Sequence, residues 1–183
     1  MKVCLIYSGW LRTYEQCKAH HKEMLIATEI NSVHINEYNT VLHYHTEDIE
    51  EYNTNKAPET VVRHSMNQWR NNWLAFQLAP KGFDFYVRIR YDIEFTNNIN
   101  FFTYNCEDNV IYIPEGNDYR EGCNDQLAFG NYMTMEKYYS VYQNHESIFK
   151  RGHQFHTESY LKQNLLDQGV RIVRIPTMTI IKR

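Results

Sequence analysis

At 183 residues the chain has the size of one domain, residues 1–183, and buries enough of its unfolded surface to need no disulfide staples. Its 22 acidic and 19 basic side chains give a formal net charge of −3, which excludes the clearly basic footprint of a nucleic-acid binder. No apolar stretch approaches the length of a membrane span and residues 1–7 are too short a run for a signal peptide, so no transmembrane segment and a cytoplasmic location are expected.

Cys4, Cys17, Cys106 and Cys123 show no Cys-x-x-Cys spacing, which argues against a structural zinc site or a redox pair. Reduced thiols are the simplest reading, with Cys4 a small buried hydrophobe. The 15 Tyr, 9 Phe and 3 Trp are core material first, though such rings also stack on bases and sugars.

In chain order, residues 3–7 read as a buried strand, followed by the loop Ser8-Gly9-Trp10-Leu11-Arg12-Thr13. Thr13 with Gln16 makes a capping-box pattern and predicts a helix over residues 14–29. Strand, glycine loop and helix is the arrangement that offers free backbone N–H groups to an anion, or else an ordinary βα turn. Residues 40–45 read as a strand with His43 and His45 on one face, either metal ligands or hydrogen-bonded histidines. Residues 46–56 read as a loop and the β-branched residues 59–63 as a strand.

Met66, Trp69, Trp73 and Phe76 recur at three- and four-residue steps, predicting a helix over residues 65–79 that stops at Pro80-Lys81-Gly82. A strand over residues 85–91 follows and ends in Asp92 and Glu94. Residues 110–113 read as a strand, 115–123 as a polar loop, 134–143 and 156–168 as helices, 170–175 as a strand and 178–181 as a short edge strand. Alternating strands and helices define an α/β sheet with mixed connections.

Three constellations carry candidate chemistry. Asp92 and Glu94 are hard oxygen donors suited to Mg²⁺ or Mn²⁺, with Arg88 and Arg90 upstream to meet a phosphate; solvated salt bridges are the plain alternative. Asn124-Asp125-Gln126 either caps a helix or reads sugar hydroxyls. His156 either completes a metal site or sits at a helix start.

Ser8-Gly9-x-Leu11-Arg12-Thr13, His45-Thr46, Arg88-x-Arg90-x-Asp92-Ile93-x-Phe95, Asn124-Asp125-Gln126-x-Ala128-Phe129-Gly130 and Phe155-His156-x-Glu158 occur in this order. The set resembles a group of small bacterial and viral glycosyltransferase-like proteins with the GT-A fold, and spans nearly the whole chain. The resemblance implies a central mixed, mostly parallel sheet flanked by helices. It implies metal-dependent transfer of a sugar from a UDP- or GDP-sugar to a glycan or other hydroxyl acceptor. Carried over, Tyr7, Ser8, Gly9, Arg12, Arg88, Tyr91, Asp92 and Asn124 would line the donor site. Asp92, Glu94 and His156 would hold Mn²⁺ or Mg²⁺, and Asp125 would be the catalytic base. Tyr91 and Thr157 stand where prolines are common in that group, and Glu94 where an Asp is common. A metal-dependent nucleotide phosphohydrolase, or a binding module without turnover, would use the same side chains.

Overall fold

The apolar run after Met1 becomes β1 (Lys2–Gly9), whose residues Val3 to Ser8 are all buried because helices or loops cover both faces of the sheet. The computed structural model describes residues 1–9, 11, 13–36 and 59–182. The expected strand at residues 40–45 and loop at 46–56 lie outside these, as do His43, His45, Thr46 and Arg12.

β1 is flanked by β3 (Glu29–Asn36) and β4 (Phe85–Ile89), both parallel to it. The six-stranded sheet continues through β8 (Leu127–Gly130), β7 (Val110–Pro114) and β9 (Arg171–Ile175). β8 alone runs against its neighbours, so the sheet is mixed and mostly parallel. Two small ribbons lie beside it. β5 (Ile93–Phe95) pairs antiparallel with β10 (Thr179–Ile181), and β2 (Leu25–Ile26) pairs parallel with β6 (Ile99–Asn100).

Strand periodicity divides the core into two faces. Val3, Leu5, Tyr7, Val87 and Ile89 pack with Ile93 and Phe95 on one side, where α1 (Tyr14–Met24) adds Tyr14 and Met24. Cys4, Ile6 and Tyr86 face the other side, where α2 (Glu59–Gln77), α3 (Tyr132–Tyr139) and α5 (Thr157–Asp167) bring Phe76, Tyr139 and Leu161. Val62, Met66 and Trp69 of α2 meet Ile148 and Phe149 of α4 (Val141–Lys150) in a third cluster.

Four expectations need correction. The residues at 59–63 are the first turn and a half of α2, not a strand. Val62 falls on the same stripe as Met66 and Trp69 and is fully buried, so burial outweighs the β propensity of Val61 and Val62. α1 ends at Met24 rather than continuing to residue 29, and the chain re-enters the sheet as the edge strand β3. The Thr13 side chain makes no cap to α1; its hydroxyl donates to the Lys182 carbonyl at 3.3 Å. The helix read at residues 134–143 is two helices meeting at Ser140, and Asn131 caps the first through the Thr134 amide at 2.8 Å.

His21 locks α1 to the sheet. Its Nε2 lies 2.6 Å from the Ile93 carbonyl, an acceptor only, so Nε2 carries the proton and Nδ1 accepts from the Tyr7 hydroxyl at 3.0 Å. Burial pushes its pKa down to about 4, against the help of the Ile93 carbonyl. The folded state therefore holds this imidazole neutral. The contribution is present above pH 6.5 and lost as pH falls from 6.5 towards about 4, with a ceiling of about 3 kcal/mol. Urea unfolding across that window will show the loss, and His21→Leu will remove that part of the pH dependence; an identical acid sensitivity in the variant contradicts the assignment.

Candidate functional site

The carboxyl ends of β1 and β4 open side by side, where α/β sheets bind their ligands. β1 ends in Ser8 and Gly9, and Gly9 takes φ 126°, a conformation that L side chains rarely adopt. Beneath this turn Arg88, only 1% exposed, donates from one terminal nitrogen to the Ser8 carbonyl at 3.1 Å and the Ile89 carbonyl at 2.9 Å. Its Nε has no hydrogen-bond partner, and no ion pair joins it to a carboxylate among the described residues. Arg88 is thus a buried positive charge directly under the Ser8–Gly9 turn. The Ser8 hydroxyl is held from α2 by the Asn72 amide oxygen.

β8 enters from the opposite direction, and its pairing with β4 continues as Arg90 N–H donates to the Gln126 carbonyl at 3.1 Å. This brings Asn124 and Asp125 to the same edge. Asn124 is fully buried, and its side chain knots the turn: Oδ1 accepts from the Gln126 amide at 2.8 Å and Nδ2 donates to Thr179 Oγ1 and the Gly116 carbonyl, both at 3.2 Å. It therefore shapes the turn that presents Asp125. The Asp125 carboxylate is gripped by Gln68 from α2 and lines a cavity of about 10 Å³ with Asn72, Tyr138 and Thr157. That admits about one water, so a sugar would have to lie outside it.

Tyr7 and Tyr91 stack at 5.2 Å between ring centroids and are buried, at 3% and 1% exposure. The exposed ring of His34, from β3, lies flat over Tyr7 at 4.7 Å and 3°. Tyr7 and Tyr91 thus support an aromatic floor that surfaces at His34.

Asp92 is 4% exposed, and Arg90 holds both of its carboxylate oxygens, from Nε at 2.9 Å and a terminal nitrogen at 2.8 Å. Glu94 pairs with the Lys182 ammonium at 2.9 Å, and the Lys182 amide donates to the Asp92 carbonyl at 2.8 Å. His156 Nδ1 lies 2.9 Å from a Glu158 carboxylate oxygen but without hydrogen-bond geometry, so that nitrogen stays unpartnered. Asp92, Glu94 and His156 are not brought together: among the described residues no three His, Cys, Asp or Glu side chains are grouped to hold a metal ion. The donor set expected for Mn²⁺ or Mg²⁺ does not fit, because Asp92 and Glu94 already hold cations of the chain and His156 joins neither in a site.

His156 belongs instead to a second group of charges around Asp125. The start of α5 is pinned to the preceding loop by Cys123 N–H donating to the Glu158 carbonyl at 3.1 Å and by Ser159 Oγ donating to the Arg120 carbonyl at 2.8 Å. Approach is close enough that a Cβ on Gly122 would stand 2.3 Å from the Glu158 carbonyl carbon. Burial first and the neighbouring Asp125 charge second raise the Glu158 carboxyl to about 7, with Arg90 opposing. Burial and the Arg120 charge lower the His156 pKa, while Asp125 raises it.

Sequence reasoning did not single out Gln68, Asn72, His34 or a role for Glu158. Gln68 and Asn72 are four apart, one helical turn, beside an aromatic stripe, and that spacing is a usable signal. His34 alternates within β3, which its polar composition conceals.

The fold is that of glycosyltransferase structures: an α/β architecture with a mostly parallel central sheet flanked by helices. The apo form of the glycosyltransferase GlyE from Streptococcus pneumoniae TIGR4 superposes over 94% of this chain with a TM-score of 0.54 at 9% sequence identity. This chain spans 44% of the length of GlyE. The apo form of mouse xyloside xylosyltransferase 1 aligns over 94% of this chain and 72% of its own, with a TM-score of 0.46 at 11% identity. No protein-family model and no curated protein matches the sequence. Among the described residues no helix is long and apolar enough to cross a membrane.

After burial, the Asp125 charge is the next largest influence that raises the Glu158 carboxyl. Carbon-13 NMR of the side-chain carboxyls will show the Glu158 midpoint moving down from about 7 in Asp125→Asn, because the like charge is gone. An unmoved midpoint contradicts the coupling.

Proposed function

We propose that the chain is a glycosyltransferase domain that moves a sugar from a UDP- or GDP-sugar to a hydroxyl of a glycan or glycoconjugate. The observation that carries this reading is the meeting of two unlike groups at one sheet edge. The Ser8–Gly9 turn, with buried Arg88 below it, is suited to a diphosphate, and Asp125 with Glu158 nearby is suited to a reacting hydroxyl. The likeness of the fold to GlyE supports it.

In this reading the acceptor oxygen forms a bond to the anomeric carbon of the donor sugar. The bond from that carbon to the diphosphate oxygen breaks, and the nucleoside diphosphate leaves with the electron pair. Asp125 takes the acceptor proton, held in place by Gln68, in an inverting transfer. The field of Arg88 favours the charge that grows on the leaving diphosphate. No step is drawn through Mn²⁺ or Mg²⁺, since the expected ligands do not assemble.

Release of nucleoside diphosphate from a panel of UDP- and GDP-sugars, with oligosaccharide acceptors present, tests the assignment. Asp125→Asn is expected to lower transfer by about 10²- to 10⁴-fold while nucleotide affinity stays the same. Transfer at the unaltered rate in that variant removes Asp125 from the role of base.

A further inference from the structure

Three cations of the chain gather at the edge read above as a nucleoside-diphosphate site. Arg88 lies buried below the Ser8–Gly9 turn, Arg90 lies on Asp92, and Lys182 lies on Glu94. Lys182 is also tied to this place by its backbone: its amide donates to the Asp92 carbonyl at 2.8 Å, and its carbonyl accepts from Thr13, at the head of α1 just past the turn. Counting only these five side chains, three positive charges face two negative ones, for a net of +1.

We propose that this chain receives the diphosphate of its donor with Arg88, Arg90 and Lys182, and needs no divalent metal to bind it. The inference rests on the reading of this edge as a nucleoside-diphosphate site and concerns what neutralises the ligand there.

A divalent ion at Asp92 would have to displace a guanidinium that contacts both carboxylate oxygens, and would then sit beside the charge it displaced. Moving to Glu94 would place it against the Lys182 ammonium. A diphosphate meets the reverse situation. Arg90 presents a planar fork that matches phosphate oxygens as well as it matches the Asp92 carboxylate, and Lys182 is a half-exposed point charge on a flexible stem. The Asp92 carboxylate is then a competitor of the diphosphate for the same guanidinium. Arg88 stays below and adds its field without moving, because both of its acceptors are backbone carbonyls.

The two modes predict opposite behaviour for one substitution. If Asp92 holds a metal, Asp92→Asn abolishes nucleotide binding. If Asp92 only competes with the diphosphate for Arg90, Asp92→Asn removes that competing charge, and binding holds or tightens. Calorimetry with UDP, GDP, CDP and ADP, in EDTA and again in Mn²⁺, makes the measurement. For the nucleotide that binds, the expected dissociation constants in the two buffers agree within about threefold. Asp92→Asn in EDTA is expected to bind at least as tightly as the unaltered chain, and Arg90→Gln to bind about tenfold more weakly or worse. Circular dichroism establishes that each variant is folded, and the two-buffer comparison on the unaltered chain needs no variant. Binding seen only with Mn²⁺, or lost in Asp92→Asn of intact fold, overturns the inference and leaves the nucleotide site standing. Binding of no nucleotide in either buffer overturns both.

Discussion

The contact on which the rest depends is the pair of hydrogen bonds from the Arg88 guanidinium to the carbonyls of Ser8 and Ile89. These carbonyls belong to the penultimate residue of β1 and the last residue of β4, two neighbouring parallel strands, so one side chain fixes how they end relative to one another. A buried guanidinium without a carboxylate is costly, because desolvation is offset only by dipoles. The surrounding fold supports it: Tyr86, Ala128 and Tyr139 seal the face of the sheet on which it lies. In the proposed reading, that cost has a functional sense at a site for an anion. The charge is retained under the turn and meets no carboxylate in an ion pair among the described residues.

The second constraint is the stitching of the loop at residues 115–123 to the first turn of α5. Asp118 accepts from the Asn124 amide at 2.8 Å and pairs with Arg174 of β9 at 2.7 Å, while Lys162 of α5 donates to the Glu121 carbonyl at 2.7 Å. Asn117, Arg120 and Glu121 all take positive φ, so the backbone there is bent against local preference and held by these bonds. The result is that Glu158 from α5 lies within electrostatic reach of Asp125 from the turn before β8. Their influence on one another follows from that placement and from burial.

Much of the frame was legible in the sequence. The buried runs that become β1 and β4, the aromatic stripe of α2 and the closing strand β9 each carry a clear period. What misled was residue type read without its burial: Val61 and Val62 favour a strand in isolation, yet Val62 completes the buried stripe of α2. β3 was hidden for the opposite reason, since a polar edge strand has little apolar pattern to read. In the site, the sequence pointed to Ser8, Arg88 and Asp125; in the structure Arg88 hydrogen-bonds the Ser8 carbonyl, and α2 reaches Ser8 through Asn72 and Asp125 through Gln68. It offered a salt bridge between Arg90 and Asp92 as the plain alternative to a metal site, but had no way to show that Glu94 is met by Lys182, which reaches it through the β5–β10 ribbon. A spacing of acids records possible ligands; the cations that reach them are set by topology.

The central claim is that a nucleotide sugar sits across the carboxyl ends of β1 and β4. A crystal structure of the chain with a UDP- or GDP-sugar bound tests it most directly. The account predicts the diphosphate over the Ser8–Gly9 turn, within contact of Arg90 or Lys182, with the sugar directed towards Asp125. A nucleotide bound at the amino-terminal edge of the sheet, or on a face remote from Arg88, contradicts it.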